Sequence, residues 1–340
     1  MDRIYAVFLA GGRGTRLWPL SKEDCPKSII RFGGNKTLLG DSINRIKNIV
    51  GIKNIRIVTD MRKAGLILNS IKNLSKENMI IEPFGRNTAS AAGLAAINLE
   101  EDSIMALLPT DQVVIGVTRY IDTIKKSLEF VNRHHDVLLC VGTKPEAAST
   151  SFGYIKIGKI VEKDIFMVNR FIEKPGREAA GEFCKKRDYL FNAGIFIFKA
   201  KTILEAIKKY APKLSGHLEI IKNNKKMLKA AFSKMEDVSI DYQIMEKAKN
   251  IYCIKGSFSW HDIGNWSRLD RLFKKDRRGN IIIGKTKLLG VYDSVIFNSS
   301  LRILGAIGLR NMIVAQTENG TLVCGREDAE KVKNLAKGMR

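Results

Sequence analysis

Cysteine is scarce and scattered in this chain. Its five cysteines (Cys25, Cys140, Cys184, Cys253 and Cys324) lie at least 44 residues apart and form no Cys-x-x-Cys pair. That spacing excludes a zinc ribbon and argues against a disulfide scaffold, so reduced thiols in a cytoplasmic protein are expected. The four histidines show no metal-ligand spacing, and His134-His135 reads as a solvated pair near a helix end. No apolar run approaches the ~18–20 residues of a spanning helix, so no membrane partner is expected. No removable leader is expected either. The apolar stretch Ile4–Leu9 runs straight into Gly11-Gly12-Arg13-Gly14, with no small-residue cleavage site. Negative charge is the other shortage: 35 Asp+Glu stand against 58 Lys+Arg, a formal net charge of +23. Such an excess suggests polyanionic partners or phosphorylated small molecules, or only a well-solvated surface.

What is present is ordinary globular material. The 340 residues, 45% hydrophobic and 27% charged, suffice for about two domains with sizeable cores and exclude a disordered tail protein. Short β-rich runs alternate with helical patterns. Strands are expected at Ile4–Leu9, Ile55–Val58, Met79–Ile81, Ile104–Leu108 and Val137–Val141. Helices are expected between them at Leu38–Val50, Lys63–Leu74, Thr88–Leu99 and Arg119–Asn132. This alternation predicts βαβ units and an α/β, Rossmann-like, mostly parallel sheet, with ligands beyond the carboxyl ends of its strands. Closer strands at Tyr154–Ile157, Phe166–Glu173 and Gly194–Phe198 predict an antiparallel insertion, and 201–250 reads as helical and lysine-rich. Beyond the basic stretch Lys274–Asn280 come short strands (Ile281–Ile283, Leu288–Tyr292, Val295–Phe297, Arg302–Ile307, Met312–Ala315, Leu322–Cys324) and a helix at Asp328–Lys337. Two domains are therefore expected, 1–275 and a small β-rich 280–340.

The first strand runs into Leu9-Ala10-Gly11-Gly12-Arg13-Gly14-Thr15-Arg16-Leu17. Glycines let a backbone approach a phosphate and aim N–H groups at it, and Arg13 and Arg16 add charge-assisted donors. The segment is a poor dinucleotide fingerprint, because Leu17 occupies the third glycine position. Gly279-Asn280-Ile281-Ile282-Ile283-Gly284-Lys285-Thr286 matches the P-loop spacing. It is rejected because three isoleucines form a strand and no helix follows.

Further segments line up behind the glycine loop: Trp18-Pro19-Leu20-Ser21, Cys25-Pro26-Lys27-Ser28, Glu82-Pro83-Phe84-Gly85-Arg86-Asn87-Thr88-Ala89, Leu108-Pro109-Thr110-Asp111, Phe152-Gly153-Tyr154, Phe171-Ile172-Glu173-Lys174-Pro175, Asn192-Ala193-Gly194 and Trp260-His261-Asp262-Ile263-Gly264-Asn265-Trp266. In this order they resemble the sugar-1-phosphate nucleotidyltransferases, in particular the mannose-1-phosphate guanylyltransferase branch. The resemblance covers essentially the whole chain. It implies a GT-A-like catalytic domain with a β-helix-like tail, a homodimer formed partly through that tail, and an Mg²⁺-dependent reaction between GTP and mannose 1-phosphate.

The chemistry is consistent with those residues. Joining two anionic substrates needs cations, backbone donors and positioning rather than a protein nucleophile. By resemblance, Arg16 and Lys27 hold the departing phosphates, within a nucleotide loop of Leu9, Ala10, Gly11, Gly12, Arg13, Gly14 and Thr15. Asp111 and Asp262 are the implied Mg²⁺ ligands, and together with Arg16 and Lys27 the implied catalytic set. Glu82, Arg86, Asn87 and Thr88 resemble the base and ribose segment, although Asn87 or Thr88 also suits a helix cap. Gly153, Glu173, Lys174 and Asn192 resemble the sugar-phosphate side. Trp260 and Trp266 read as core residues rather than stacking platforms. Ser28 and Gln112 depart from the branch, which usually has glutamine and histidine there. The alternatives are the same chemistry on another nucleotide and sugar phosphate, or a catalytically silent regulatory relative. No zinc-ligand spacing or aromatic–basic RNP pattern accompanies the charge, so no nucleic-acid partner is expected.

Overall fold

The computed structural model describes residues 3–12, 14–22, 25–32 and 36–337. Arg13, a candidate phosphate ligand, lies outside them. Within them the chain runs β1 (Ile4–Leu9), α1 (Leu38–Val50), β2 (Ile55–Thr59), α2 (Met61–Ser70), β3 (Met79–Ile81), α3 (Asn87–Ala96), β4 (Ile104–Leu108), β5 (Gln112–Ile115), α4 (Val117–Arg133) and β6 (Leu138–Thr143). The insertion follows as β7 (Tyr154–Glu162), β8 (Ile165–Ile172), α5 (Arg177–Lys185) and β9 (Tyr189–Lys199). Then come α6 (Ala200–Tyr210), α7 (Pro212–Asn223), α8 (Leu228–Ser233), a π-helical turn at Asp241–Met245, β10 (Ile251–Gly256) and β11 (Ser259–Asp262).

Local chemistry sets the element ends. Thr37 caps α1, its Oγ1 accepting from the Gly40 N–H at 3.0 Å, and Gly51 at φ 76° ends the helix. Asp60 caps α2 by accepting from the Lys63 N–H, so the helix begins at Met61, ahead of the expected Lys63. The strands β10, β5 and β11 were not expected. β5 and β11 are only four residues long, and β10 follows a long helical stretch that masks it.

The main sheet has the order β3-β2-β1-β4-β9-β6-β10-β8-β7. It is parallel from β3 to β4 and between β6 and β10, with β9 antiparallel to both β4 and β6. Successive side chains alternate across it. Val7, Leu107 and Phe196 face α3, α6 and α7, whereas Phe8, Leu108 and Ile195 face α1 and α4. Both faces are covered, which accounts for the continuous apolar runs of β1 and β4. The loops that carry the motifs leave the carboxyl ends of these strands.

The tail comprises β12 (Ile281–Ile283), β13 (Thr286–Leu289), β14 (Val295–Asn298), β15 (Leu304–Ile307), β16 (Met312–Thr317), β17 (Gly320–Gly325) and α9 (Val332–Lys337). β12, β14 and β16 pair in parallel, as do β13 and β15, giving a β-helix-like coil. The isoleucines of the P-loop-like pattern are strand β12. The strand expected at 288–292 lies earlier, because Gly290 turns left-handed at φ 65° after Leu289. The last helix is shorter than expected: Arg326–Asp328 is a 3₁₀ turn, and the Lys331 N–H bonds the Asp328 carbonyl three residues back.

A third core joins this tail to the main-sheet body. It packs Leu17, Ile30 and Leu38 with Ile263, Trp266 and Leu269 against Ile281, Phe297, Ile313 and Val332. Trp266 is fully buried, and its indole donates to the Trp18 carbonyl at 2.9 Å. The segments bearing Arg16 and Asp262 are thus fixed by one cluster.

Candidate active site

A cavity of about 250 Å³ opens beyond β1 and β4, lined by Leu9, Ala10, Gly12, Lys27, Ser28, Thr88 and Asp111, with Gly194 and Asp241 opposite. Gly14 sits at φ 65°, and a Cβ there would lie 2.7 Å from that of Lys27. Glycine at this position therefore lets the lysine pass under the loop. Thr15 and Arg16 form a 3₁₀ turn behind it. Arg16 is exposed, and its Nε pairs with Glu330 Oε2 at 2.9 Å. Lys63 Nζ donates to the Gly11 carbonyl at 2.7 Å and pins the loop.

The centre of the site is an ion cluster. Lys27 Nζ lies 2.5 Å from Asp111 Oδ2 and 2.9 Å from Asp262 Oδ1. The aspartates meet because β5 and β11 form a two-stranded antiparallel sheet that pairs Asp262 with Gln112. Burial pulls the Lys27 pKa down, but the two carboxylates outweigh it and hold the ammonium above the usual lysine value. A cation already resides between the two carboxylates. Oxygen donors so arranged suit a hard divalent ion completed by phosphate oxygens. Gln112 is turned away, its amide donating to the Ala193 carbonyl at 2.8 Å. Ser28 Oγ is buried with no hydrogen-bond partner among the described residues, at the cavity wall.

The base and ribose candidates are only partly assembled. Glu82 is buried, and burial pushes its pKa to about 7 against the opposing Lys63 charge. Its carboxyl fits only because Gly11 has no side chain, since a Cβ would come 2.5 Å from Oε1. Thr88 lines the cavity while its Oγ1 accepts from the Ile240 N–H at 2.9 Å. Asn87, at φ 63°, turns its Oδ1 back to the Thr88 N–H. Arg86 points elsewhere: it donates to the Ser233 carbonyl and lies over the Phe84 ring.

The sugar-phosphate candidates are brought together. The Asn192 N–H donates to the Gly153 carbonyl at 2.9 Å, and Lys174 Nζ pairs with Glu173 Oε1 at 2.6 Å. Lys174 is held at φ 47°, a conformation a non-glycine residue adopts at a cost. A Cβ on Gly153 would collide with Glu173 Oε2.

The nucleotidyl transferase family model matches residues 5–279, and a MannoseP isomerase/GMP-like β-helix domain model matches residues 276–339. The chain belongs to the nucleotidyl transferase family. A mannose-1-phosphate guanylyltransferase of Escherichia coli is 32% identical over 350 residues, 98% of this chain and 75% of the relative. The Salmonella typhimurium mannose-1-phosphate guanylyltransferase RfbM is 30% identical across 97% of the chain and 71% of the relative. A crystal structure from Thermus thermophilus, described as mannose-1-phosphate geranyltransferase, superposes with a TM-score of 0.90 at 28% identity over 99% of both chains. The fold expected from the sequence, an α/β sheet with a β-helix-like tail, is the fold of this nucleotidyl transferase. No helix among its described residues is long and apolar enough to cross a membrane.

Three residues of this nucleotidyl transferase escaped sequence reading. Asp241 accepts from the Asn192 amide at 2.9 Å and lines the glycine-walled cavity, linking it to the Gly153–Glu173 cluster. Burial raises its pKa to about 7, with the Glu173 charge adding to the effect. The sequence signal was a carboxylate set among apolar residues, Val238-Ser239-Ile240-Asp241, in a region read only as lysine-rich helix. Arg268 pairs with Asp262 Oδ2 at 3.1 Å. Glu330 joins Arg16 to the Asn265 amide, which donates to it at 2.6 Å. Nothing local in the sequence marks those two.

Proposed function

We propose that this nucleotidyl transferase converts GTP and α-D-mannose 1-phosphate to GDP-mannose and diphosphate. A phosphate oxygen of the sugar attacks the α-phosphorus in line, the bond to the β-phosphate oxygen breaks, and diphosphate leaves from the opposite side. The observation that carries the reading is Lys27 held between Asp111 and Asp262 at the mouth of the glycine-lined cavity.

The glycine loop donates backbone N–H groups to the triphosphate, and Arg16 and Lys27 hold the β- and γ-phosphates. Glu82, Arg86, Asn87 and Thr88 face base and ribose in this reading. Engagement of Arg16 and Arg86 requires them to leave or share Glu330 and the Ser233 carbonyl. Gly153, Glu173, Lys174 and Asn192 take the sugar phosphate. Glu173 accepts from sugar hydroxyls and Lys174 pairs with the 1-phosphate. Asp111 and Asp262 are the residues that would hold Mg²⁺, and the bound ion would supply charge neutralisation where the two phosphates meet. Residues 1–275 carry this chemistry, and 280–340 serve as the dimerising domain of a homodimer.

The test is a matrix of nucleoside triphosphates against sugar 1-phosphates, read as diphosphate release with and without Mg²⁺. Release from GTP only with mannose 1-phosphate and Mg²⁺ is expected. No release from any combination rules out the enzyme reading. The unpartnered Ser28 hydroxyl favours one second reading, the same chemistry with another pair, and the matrix detects that as a different productive combination.

A further inference from the structure

Asp262 does not face Lys27 alone. Its Oδ1 is 2.9 Å from Lys27 Nζ, while its Oδ2 is 3.1 Å from Arg268 Nη1. Lys27 also pairs with Asp111. Two carboxylates are therefore matched by two cations, and every side chain of the cluster is less than about one-third exposed. Three features hold Arg268 in place. Asn265 Oδ1 accepts from its main-chain N–H at 3.2 Å, its guanidinium stands 5.4 Å from the Phe152 ring centre, and Gly264 leaves the space it occupies. A Cβ on Gly264 would come 3.0 Å from Asp262 Oδ2 and 3.4 Å from the guanidinium. Phe152 directly precedes Gly153, so the arginine also ties the carboxylate to the sugar-phosphate lip.

We propose that Arg268 is the built-in counter-ion of Asp262, a positioning residue that keeps the metal-binding pair charge-balanced and closed to free divalent ions until nucleotide arrives. This rests on the reading of Asp111 and Asp262 as metal ligands. A divalent ion approaching the nucleotide-free pair meets no net negative charge, because each carboxylate already has a cation within hydrogen-bonding distance. A triphosphate engaging Lys27 draws that ammonium off the carboxylates and brings its own negative charge. Metal therefore enters with the nucleotide rather than before it.

The test is direct Mn²⁺ binding, with the free ion quantified by electron paramagnetic resonance on the full chain. Without nucleotide, Arg268→Gln should bind Mn²⁺ about fivefold or more tightly than the wild type, since a positive charge next to the ligand is gone. Arg268→Lys, which keeps the charge, should stay within about twofold of the wild type. Adding Asp262→Asn to Arg268→Gln should abolish the gain. If glutamine perturbs folding, Arg268→Met, which keeps the aliphatic stem on Phe152, reads the same quantity. Unchanged or weaker Mn²⁺ binding in the glutamine or methionine variant overturns the counter-ion role, as does a gain that survives Asp262→Asn. A non-hydrolysable GTP analogue should tighten Mn²⁺ binding to the wild type. If it does not, the metal-ligand reading of the aspartates falls, and this inference falls with it.

Discussion

Lys27 Nζ stands between Asp111 Oδ2 at 2.5 Å and Asp262 Oδ1 at 2.9 Å, joining a carboxylate of the β4–β5 turn to one at the end of β11, far apart in the chain. Removing the ammonium leaves two half-buried carboxylates facing each other and removes the proposed triphosphate ligand. Lys27→Ala should lower turnover by about 10²–10³-fold, as loss of a preorganised charge does. It should also cost about 1–3 kcal/mol of stability, because partnered groups lose their partner. Diphosphate release and thermal melting measure the two effects. Lys27→Arg should not restore turnover, because a planar fork cannot occupy the place of a compact ammonium. A rate within twofold of wild type in either variant would refute the role.

Gly153 and Glu173 make a second test. Alanine at 153 would drive a Cβ into Glu173 Oε2, and the Glu173 side chain is only 7% exposed, so the carboxylate has little room to retreat. The Gly153→Ala variant should lose about 10- to 100-fold in kcat/KM for the sugar phosphate, through misplacement of a positioning group. KM for the nucleotide should barely move. Equal losses for both substrates would mean that Gly153 serves the fold rather than the sugar side.

The pH dependence of stability follows from Asp241 and Glu82. Burial raises both to about 7, so the folded chain holds protons there that the unfolded chain has already released. The stabilisation is fully present below the ordinary carboxylate range and is lost as pH rises through about 7. Asp241→Asn keeps the Oδ1 that accepts from Asn192 and removes the ionisation. Its melting temperature should fall less than that of the wild type between pH 5 and 8, and should exceed it at pH 8. Parallel melting curves for the two proteins would show that Asp241 does not titrate in this range.

Much of this site was legible because its chemistry is local. A glycine run after an apolar strand, a lysine after a proline and an aspartate just beyond a buried strand each declare themselves within a few residues. The fold was legible for the same reason, through continuous apolar runs separated by amphipathic patterns. What escaped depends on distant packing. The β5–β11 pairing that delivers Asp262 to Asp111 uses two four-residue strands separated by the whole insertion and helical region. Asp241 looked like one more charge in a lysine-rich stretch, and only the π-helical turn at Asp241–Met245 aims it at Asn192. Glu330 acquires meaning only once the third core has folded the tail back onto Leu17 and Trp266, and Arg268 only once the 3₁₀ turn Trp266–Arg271 has brought it onto Asp262.

The tail carries the remaining prediction. Leu289 and Ile307 are register partners on β13 and β15, and they remain 66% and 74% exposed. Leu289 and Ile307 thus form a short exposed apolar strip, the kind of surface that a contact with a second chain would cover. Covering it with the same strip of a second chain would gain about 1.5–3 kcal/mol for each such side chain fully buried. The wild type should therefore sediment as a dimer at micromolar concentration. Leu289→Glu combined with Ile307→Glu should sediment as a monomer with its far-ultraviolet circular dichroism unchanged, because both side chains point away from the core. Charge at paired positions on both chains would have to be buried unpartnered in the dimer, at a cost larger than the apolar gain it replaces. A wild type that sediments as a monomer, or a double variant that remains dimeric, would place the contact elsewhere or remove it.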